Sequence, residues 1–325
     1  MTNPLESLLK MFGGTGEPAS TPGVPPPEVQ VPSDLVFDDE PLEAVLYDES
    51  GPGPTSAGLF EQVRGLMAKI RTSKAANRKE LLQAIDALLG GEEAVDSESF
   101  RFLAALARSF LPRWPEPPSP DMPPEVDSVL RGLWARALGQ LDDDWRLIAG
   151  GLLWEWHELN GRHAEARDVL GALIAVEERR GNVEATANHE NSLAFQFWLE
   201  RRWSEAAAHF DRAARLAEET GDAVSRAQFM TNYQACRIEE GSRTDEAIYR
   251  SLRGYVVLLN AAKNLAGERK AEFYLATMDQ ARGDVGQAIK RLERAVAIDR
   301  VQNSIYLPAD LKFLEELRKL GEVRR

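Results

Sequence analysis

Two dipeptides, His157-Glu158 and His189-Glu190, begin like the zinc motif H-E-x-x-H. That motif works because residues four apart share one helical face and can hold one ion. Here the second histidine would fall on Gly161 and on Leu193. Neither can ligate a metal, so both histidines read as surface or hydrogen-bonding residues. Cys236 is the single cysteine, which excludes an intramolecular disulfide and a multi-cysteine zinc site. No His or Lys adjoins it in sequence to activate a thiolate, and a small packing residue is the simpler reading. Asp142, Asp143 and Asp144 stand just before a helical stretch, where acids cap the first turn and complement its positive end. There is no G-x-x-x-x-G-K-[ST] phosphate loop and no G-x-S-x-G elbow. Gly13, Gly14 and Gly16 have no strand pattern before them. The residues therefore point to a noncatalytic chain with no metal and no cofactor.

The elements that carry these residues divide by composition. The chain has 325 residues and a net charge of −13. Residues 1–58 hold ten acids against one base, and ten of the 18 prolines. Such a segment cannot bury enough apolar area to offset chain entropy, so it is expected to be a disordered acidic tail. Two apolar islands interrupt it: Leu5, Leu8, Leu9 and Phe12, then Leu35, Phe37, Leu46 and Tyr47 with their neighbours. Apolar residues set in acidic disorder can dock on a partner. Residues 59–111 carry helical stripes (Leu59 to Ile70, Leu81 to Leu89, Phe100 to Leu111) and are expected to form a small helical region. Residues 112–124 hold seven prolines and read as a stiff linker. From 125 to the end only Pro308 interrupts the helical pattern.

The acidic balance argues against nonspecific nucleic-acid binding, which depends on phosphate neutralisation by Lys and Arg. No apolar run approaches the roughly 20 residues that a membrane-spanning helix needs. The single cysteine fits a reducing compartment, and the expected location is cytoplasmic.

Residues 125–325 contain an internal repeat. Segments starting at Gly151, Asn191, Asn232 and Phe273 align. An alanine opens the second helix of each (Ala166, Ala206, Ala247 and Ala288), at spacings of 40, 41 and 41. Twelve residues earlier stand Trp154, Ala194, Ala235 and Ala276. Small residues at these points let two antiparallel helices approach closely. Polar turns such as Asn160-Gly161 and Arg282-Gly283-Asp284 separate the helices. One hairpin cannot bury its own apolar face, so neighbours must stack. The expected fold is an all-α solenoid of stacked hairpins, closed by a helix over Pro308 to Leu320 with Lys312, Arg318 and Lys319 on its solvated side.

This pattern resembles the tetratricopeptide repeat (TPR) family over about residues 142–300, most closely in RRWSEAAAHFDRAARLAEE and RGDVGQAIKRLERAVAID. The period of about 40 is similar to the longer-helix variant of kinesin light chains and bacterial peptide-sensing regulators. Trp154 stands where a small residue is usual, and Gly254 is expected to weaken the third unit. The resemblance implies a concave groove lined by the first helix of each unit, with asparagines that bond the backbone of an extended peptide. It places Asn191 and Asn232 at one equivalent site, with Asn188 a turn earlier. It sets Ser192, Phe195, Trp198 and Cys236 on or near the same face, with Glu155, Glu158 and Glu239 adding negative charge. A carboxamide suits this task because it both donates and accepts. The ladder is expected to stop at Phe273, and no basic clamp for a C-terminal acidic peptide is evident. The implied function is a protein-interaction adaptor or scaffold with a peptide or protein partner in its groove and a second partner on the tail. Two alternatives are a peptide-sensing regulator and a solenoid blocked by its own tail.

Overall fold

The computed structural model describes residues 77–90, 95, 97–108, 110–111, 125–140 and 142–323. The acidic tail, its apolar islands, the stretch Leu59 to Ile70 and the proline-dense linker lie outside the described residues. Among those described there are only helices and turns. They are α1 (Asn77–Gly90), α2 (Ser97–Arg108), α3 (Glu125–Gln140), α4 (Asp143–Leu159), α5 (His163–Arg180), α6 (Val183–Leu199), α7 (Trp203–Glu219), α8 (Ala223–Glu239), α9 (Glu246–Ala261), α10 (Leu265–Ala281), α11 (Val285–Gln302) and α12 (Leu307–Val323). From α3 onward, each helix packs on the next in sequence. This is an α-solenoid of hairpins, α4–α5, α6–α7, α8–α9 and α10–α11, with α12 as its last helix.

The turns reveal the true period. A residue with left-handed backbone sits at 161, 181, 201, 221, 241, 263, 283 and 303. The step is 20 residues throughout, save for 22 between Gly241 and Lys263. Five of the eight are glycines, which adopt this conformation without a Cβ penalty. First helices therefore begin at 143, 183, 223 and 265. The extra residues lie in the turn between α8 and α9, where Ser242 to Asp245 lengthen the connection.

That insertion corrects the sequence register. Ala166, Ala206 and Ala288 are fully buried at the hairpin crossings. Ala247 is exposed, and Ile248 takes the crossing position instead. Gly254 is also exposed, with open space where a Cβ would stand. The third unit carries a bulkier residue, Ile248, at its crossing. Its second helix buries only Ile248, Leu252 and Leu259, whereas α7 buries six residues. Trp154 does not loosen the first unit: it is buried, and close approach there falls to Gly150, whose Cβ would lie 2.6 Å from Leu173 and 2.9 Å from Trp134.

Local chemistry fixes the helix starts. Asp142, Asn182, Asp222, Asp245, Asn264 and Asp284 each accept from backbone N–H groups in the first turn. That satisfies donors which the helix leaves orphaned. Asp142 accepts from the amides of Asp144 and Trp145, confirming a capping role for that acid. At the N-terminal side, α1 and α2 share one core with α3 and α4, and Phe100 stacks on Trp145 at 3.9 Å. At the other end α12 buries Phe313, Leu314 and Leu317 and exposes Lys312 and Lys319.

Buried charge ties the last helices together. Arg269 of α10 donates to Asp299 of α11 at 3.1 Å and to Asp310 of α12 at 2.5 Å. Both carboxylates are fully buried, and the guanidinium stacks over Tyr306 at 4.5 Å. A second buried node joins Arg291 to Glu272 and Asp279 at 2.9 and 2.8 Å.

Candidate functional site

First helices α4, α6, α8 and α10 line the side of the solenoid on which the groove is expected. With the period read from the turns, Asn191 is equivalent to Thr231, and Asn232 to Ser192. The two asparagines are thus one residue out of register, so they do not form a ladder of like positions. They meet diagonally, with Asn232 Nδ2 donating to Asn191 Oδ1 at 3.0 Å. Lys270 Nζ donates to Asn232 Oδ1 at 2.7 Å. Both carboxamides are buried, at 3 % and 2 % exposure. Their hydrogen bonds run between helices α6, α8 and α10.

The aromatic residues expected to face a ligand are interior. Trp198 packs edge-on against Trp203 at 4.7 Å and against Tyr274 of α10 at 6.4 Å. Phe195 meets Phe210 at 5.0 Å and lies under the ammonium of Lys270 at 4.9 Å. Phe195, Trp198, Ser192 and Cys236 are all buried. Phe195 and Trp198 pack on Phe210 and Trp203 of α7, and they also reach Lys270 and Tyr274 of α10 at the seam beside α8. Cys236 sits at that seam, and burial pushes its thiol above the usual range. That makes it a packing residue with an inert thiol.

The acids of the first unit are engaged as well. Arg108 of α2 donates to Glu155 at 2.5 Å, and Gln196 of α6 donates to Glu158 at 3.1 Å. Burial raises both carboxyls, Glu158 to about 7, and Glu239 is raised for the same reason. The negative charge of Glu158 near neutrality is therefore less than the sequence suggests. His157 and His189 are buried, and burial lowers His189 to about 4, so it is neutral. No group of His, Cys, Asp and Glu among the described residues is arranged to hold a metal ion.

What remains partly exposed on the first helices is a different row. Asn188, Gln228 and Lys270 occupy equivalent positions in α6, α8 and α10, and each is partly exposed. Asn188 was expected on the groove from the sequence; Gln228 and Lys270 were not. Asn264 donates to Gln228 at 2.8 Å. Gln228, Asn232 and Lys270 also line a small cavity of about 20 Å³, together with Ser304 and Tyr306 of the α11–α12 turn.

No protein-family model and no curated protein matches the sequence. Solved structures do resemble it. The likeness is to TPR-like repeats. Two crystal structures of a Podosopora anserina protein, assigned to the kinesin light chains and built of nearly identical TPR-like repeats, are each 20 % identical to this chain. The match covers 63 % of this chain and 97 % of each of those, with TM-scores of 0.47 and 0.46. The TPR-like assignment rests on the chain's own geometry: antiparallel hairpins repeating every 40 to 42 residues, each helix packed on the next, and small residues at three of the four crossings. No helix among the described residues is long and apolar enough to cross a membrane.

The signal that would have found Gln228 and Lys270 is the spacing of the turns. Gly161, Gly181, Gly221, Gly241 and Gly283 are visible in the sequence, and counting from them places 188, 228 and 270 at one position. The alanines hide the insertion because Ala247 stands one residue before the crossing that Ile248 fills.

Proposed function

We propose that this chain is a noncatalytic protein-interaction scaffold that binds an extended peptide segment along its first helices. The observation that carries this reading is the row Asn188, Gln228 and Lys270: three partly exposed hydrogen-bonding side chains at equivalent positions of successive hairpins. Neighbouring packed helices lie about 8–10 Å apart. An extended chain advances about 3.3 Å per residue. Hydrogen bonds from Lys270 to Asn232 and from Asn232 to Asn191 already bridge α6, α8 and α10, so one short extended segment can reach all three members of the row. The two carboxamides offer donor and acceptor, and the lysine offers a donor to a carbonyl or carboxylate. Each neutral bond contributes about 0.5–1.5 kcal/mol net, so the row sets register more than affinity. The acidic segment 1–58 would serve a second contact, raising the local concentration of a tethered partner.

The test is a displayed library of extended peptides selected on the full chain, followed by titration of a recovered peptide. The double substitution Asn188→Ala and Gln228→Ala should weaken it about tenfold or more. Unchanged affinity with helical content intact refutes the row, and a library that yields no binder refutes the peptide reading.

A further inference from the structure

We propose that residues 34–49 of this chain dock on the exposed face of α9, on the second-helix side of the solenoid. The inference does not depend on the peptide reading above, because it concerns a different surface.

Helix α9 is the least covered of the second helices. It buries three residues, where α5, α7 and α11 bury seven, six and seven. Arg250, Arg253, Gly254 and Val257 are all exposed, and their spacing puts them on one face of the helix. Val257 is 70 % exposed, and its neighbours Val256 and Leu258 are half-buried. Three consecutive apolar side chains thus reach the surface, where an amphipathic helix presents polar ones. At Gly254 there is open space where a Cβ would stand, so a second backbone can come close to the helix there.

The charge of this face sets it apart as well. Residues 247–267 hold no Asp or Glu and three bases, Arg250, Arg253 and Lys263. This is the longest acid-free stretch in a chain with 52 acids among its 325 residues. Helices α5 and α7, by contrast, expose Glu165, Asp168, Glu205 and Glu218. Arg253 has no acidic partner among the described residues, and Arg250 reaches Glu246 only at 4.0 Å.

An occupant of matching chemistry lies in the same chain. Residues 34–49 carry seven acids, no base, and two apolar clusters around Phe37 and Leu46. On α9 the acids meet arginines, and the apolar groups of both sides leave water together. The earlier island, Leu5 to Phe12, holds one acid and one base, so it lacks that charge and stays free for a partner. Residues 50–76 make the connection. These 27 residues span up to about 90 Å when extended. Three hairpins separate the start of the solenoid from α9, roughly 30 Å at about 10 Å per packed helix. Tethering gives a local concentration on the order of 1 mM, so a weak contact suffices to hold the segment.

The test is amide hydrogen exchange on the full-length protein, read at residues 34–49 by mass spectrometry. The double substitution Arg250→Glu and Arg253→Glu should speed exchange of these residues about threefold or more. Val257→Asp should act in the same sense. All three positions lie on an exposed face, and circular dichroism checks that helical content is kept. Adding Asp38→Arg, Asp39→Arg and Glu40→Arg to the double variant should restore the slower exchange, an outcome that a merely damaged α9 does not allow. Lys290→Glu, a charge reversal at an exposed position of α11, should leave the rate unchanged. Exchange at 34–49 that ignores the α9 substitutions, or that responds equally to Lys290→Glu, overturns the docking. Protection that disappears on tenfold dilution places the segment on a second copy and overturns it too.

Discussion

Replacing Arg269 by Met probes how the end of the solenoid is held. The guanidinium sits between Asp299 and Asp310, at 3.1 and 2.5 Å, with both carboxylates fully buried. Met fills much of the volume but leaves two buried carboxyl groups facing each other. Breaking a buried pair by removing one partner costs about 3–5 kcal/mol, because the remaining charge has neither water nor counter-ion. Protonation is the escape route, and it fixes the sign of the pH dependence. Burial already raises the Asp310 carboxyl, Arg269 opposes that rise and Asp299 reinforces it. Without Arg269 the carboxyl rises further. A group whose folded pKa lies above its unfolded value costs nothing when protonated in both states. Its cost grows as pH rises through the interval between the two. The loss should therefore be smallest near pH 4 and largest above pH 8. At about 2–4 °C per kcal/mol, the melting temperature should fall by roughly 10 °C at the higher pH. Hydrogen exchange should localise the loss to α11 and α12, since each unit couples mainly to its neighbours. Adding Asp299→Leu and Asp310→Leu to the variant should recover most of the stability. A loss below about 1 kcal/mol at pH 8, or one equal at pH 4 and pH 8, refutes the argument.

Three further outcomes follow from the packing. Glu158→Gln should stabilise the protein above neutrality and have little effect near pH 4, because burial raises this carboxyl to about 7 and the native state loses stability as pH climbs toward that value; the gain, at most about 3 kcal/mol, is read from urea midpoints at the two pH values. Gly150→Ala should destabilise by about 1–3 kcal/mol through overlap with Leu173 and Trp134, whereas Gly254→Ala, in open space on α9, should stabilise by up to about 1 kcal/mol, and thermal melts of the two variants compare them directly. Ala288→Leu should cost about 1–3 kcal/mol by overpacking a fully buried crossing, while Ala247→Leu, on the exposed side of α9, should stay within about 0.5 kcal/mol; equal losses in denaturant melts would contradict the corrected register.

The repeat was legible because its elements are local. Alanine stripes, polar turns and the near absence of proline after 124 each express a preference of a few residues, and together they specify stacked hairpins. The capping acid Asp142 could likewise be placed, since a cap needs only the next three amides. The register was harder. A connection lengthened between Gly241 and Glu246 moved Ala247 off the crossing and put Ile248 on it. Residue type alone could not disclose that, because alanine is also a good surface residue in a helix.

The sequence by itself determined that the chain from 125 onward is helical, repetitive and free of catalytic motifs. These properties follow from side-chain periodicity and from which chemistry is present. Tertiary structure alone decided which of the groove residues are available. Asn191, Phe195, Trp198, Asn232 and Cys236 lie on the helices where the repeat pattern puts them, yet packing against α7 and between α6, α8 and α10 buries them. Asn188, Gln228 and Lys270 stay partly open. The distance between alternate hairpins sums small crossing angles and the bulk at each crossing over three units. No single repeat encodes that sum, so it becomes visible only when the helices are placed in space.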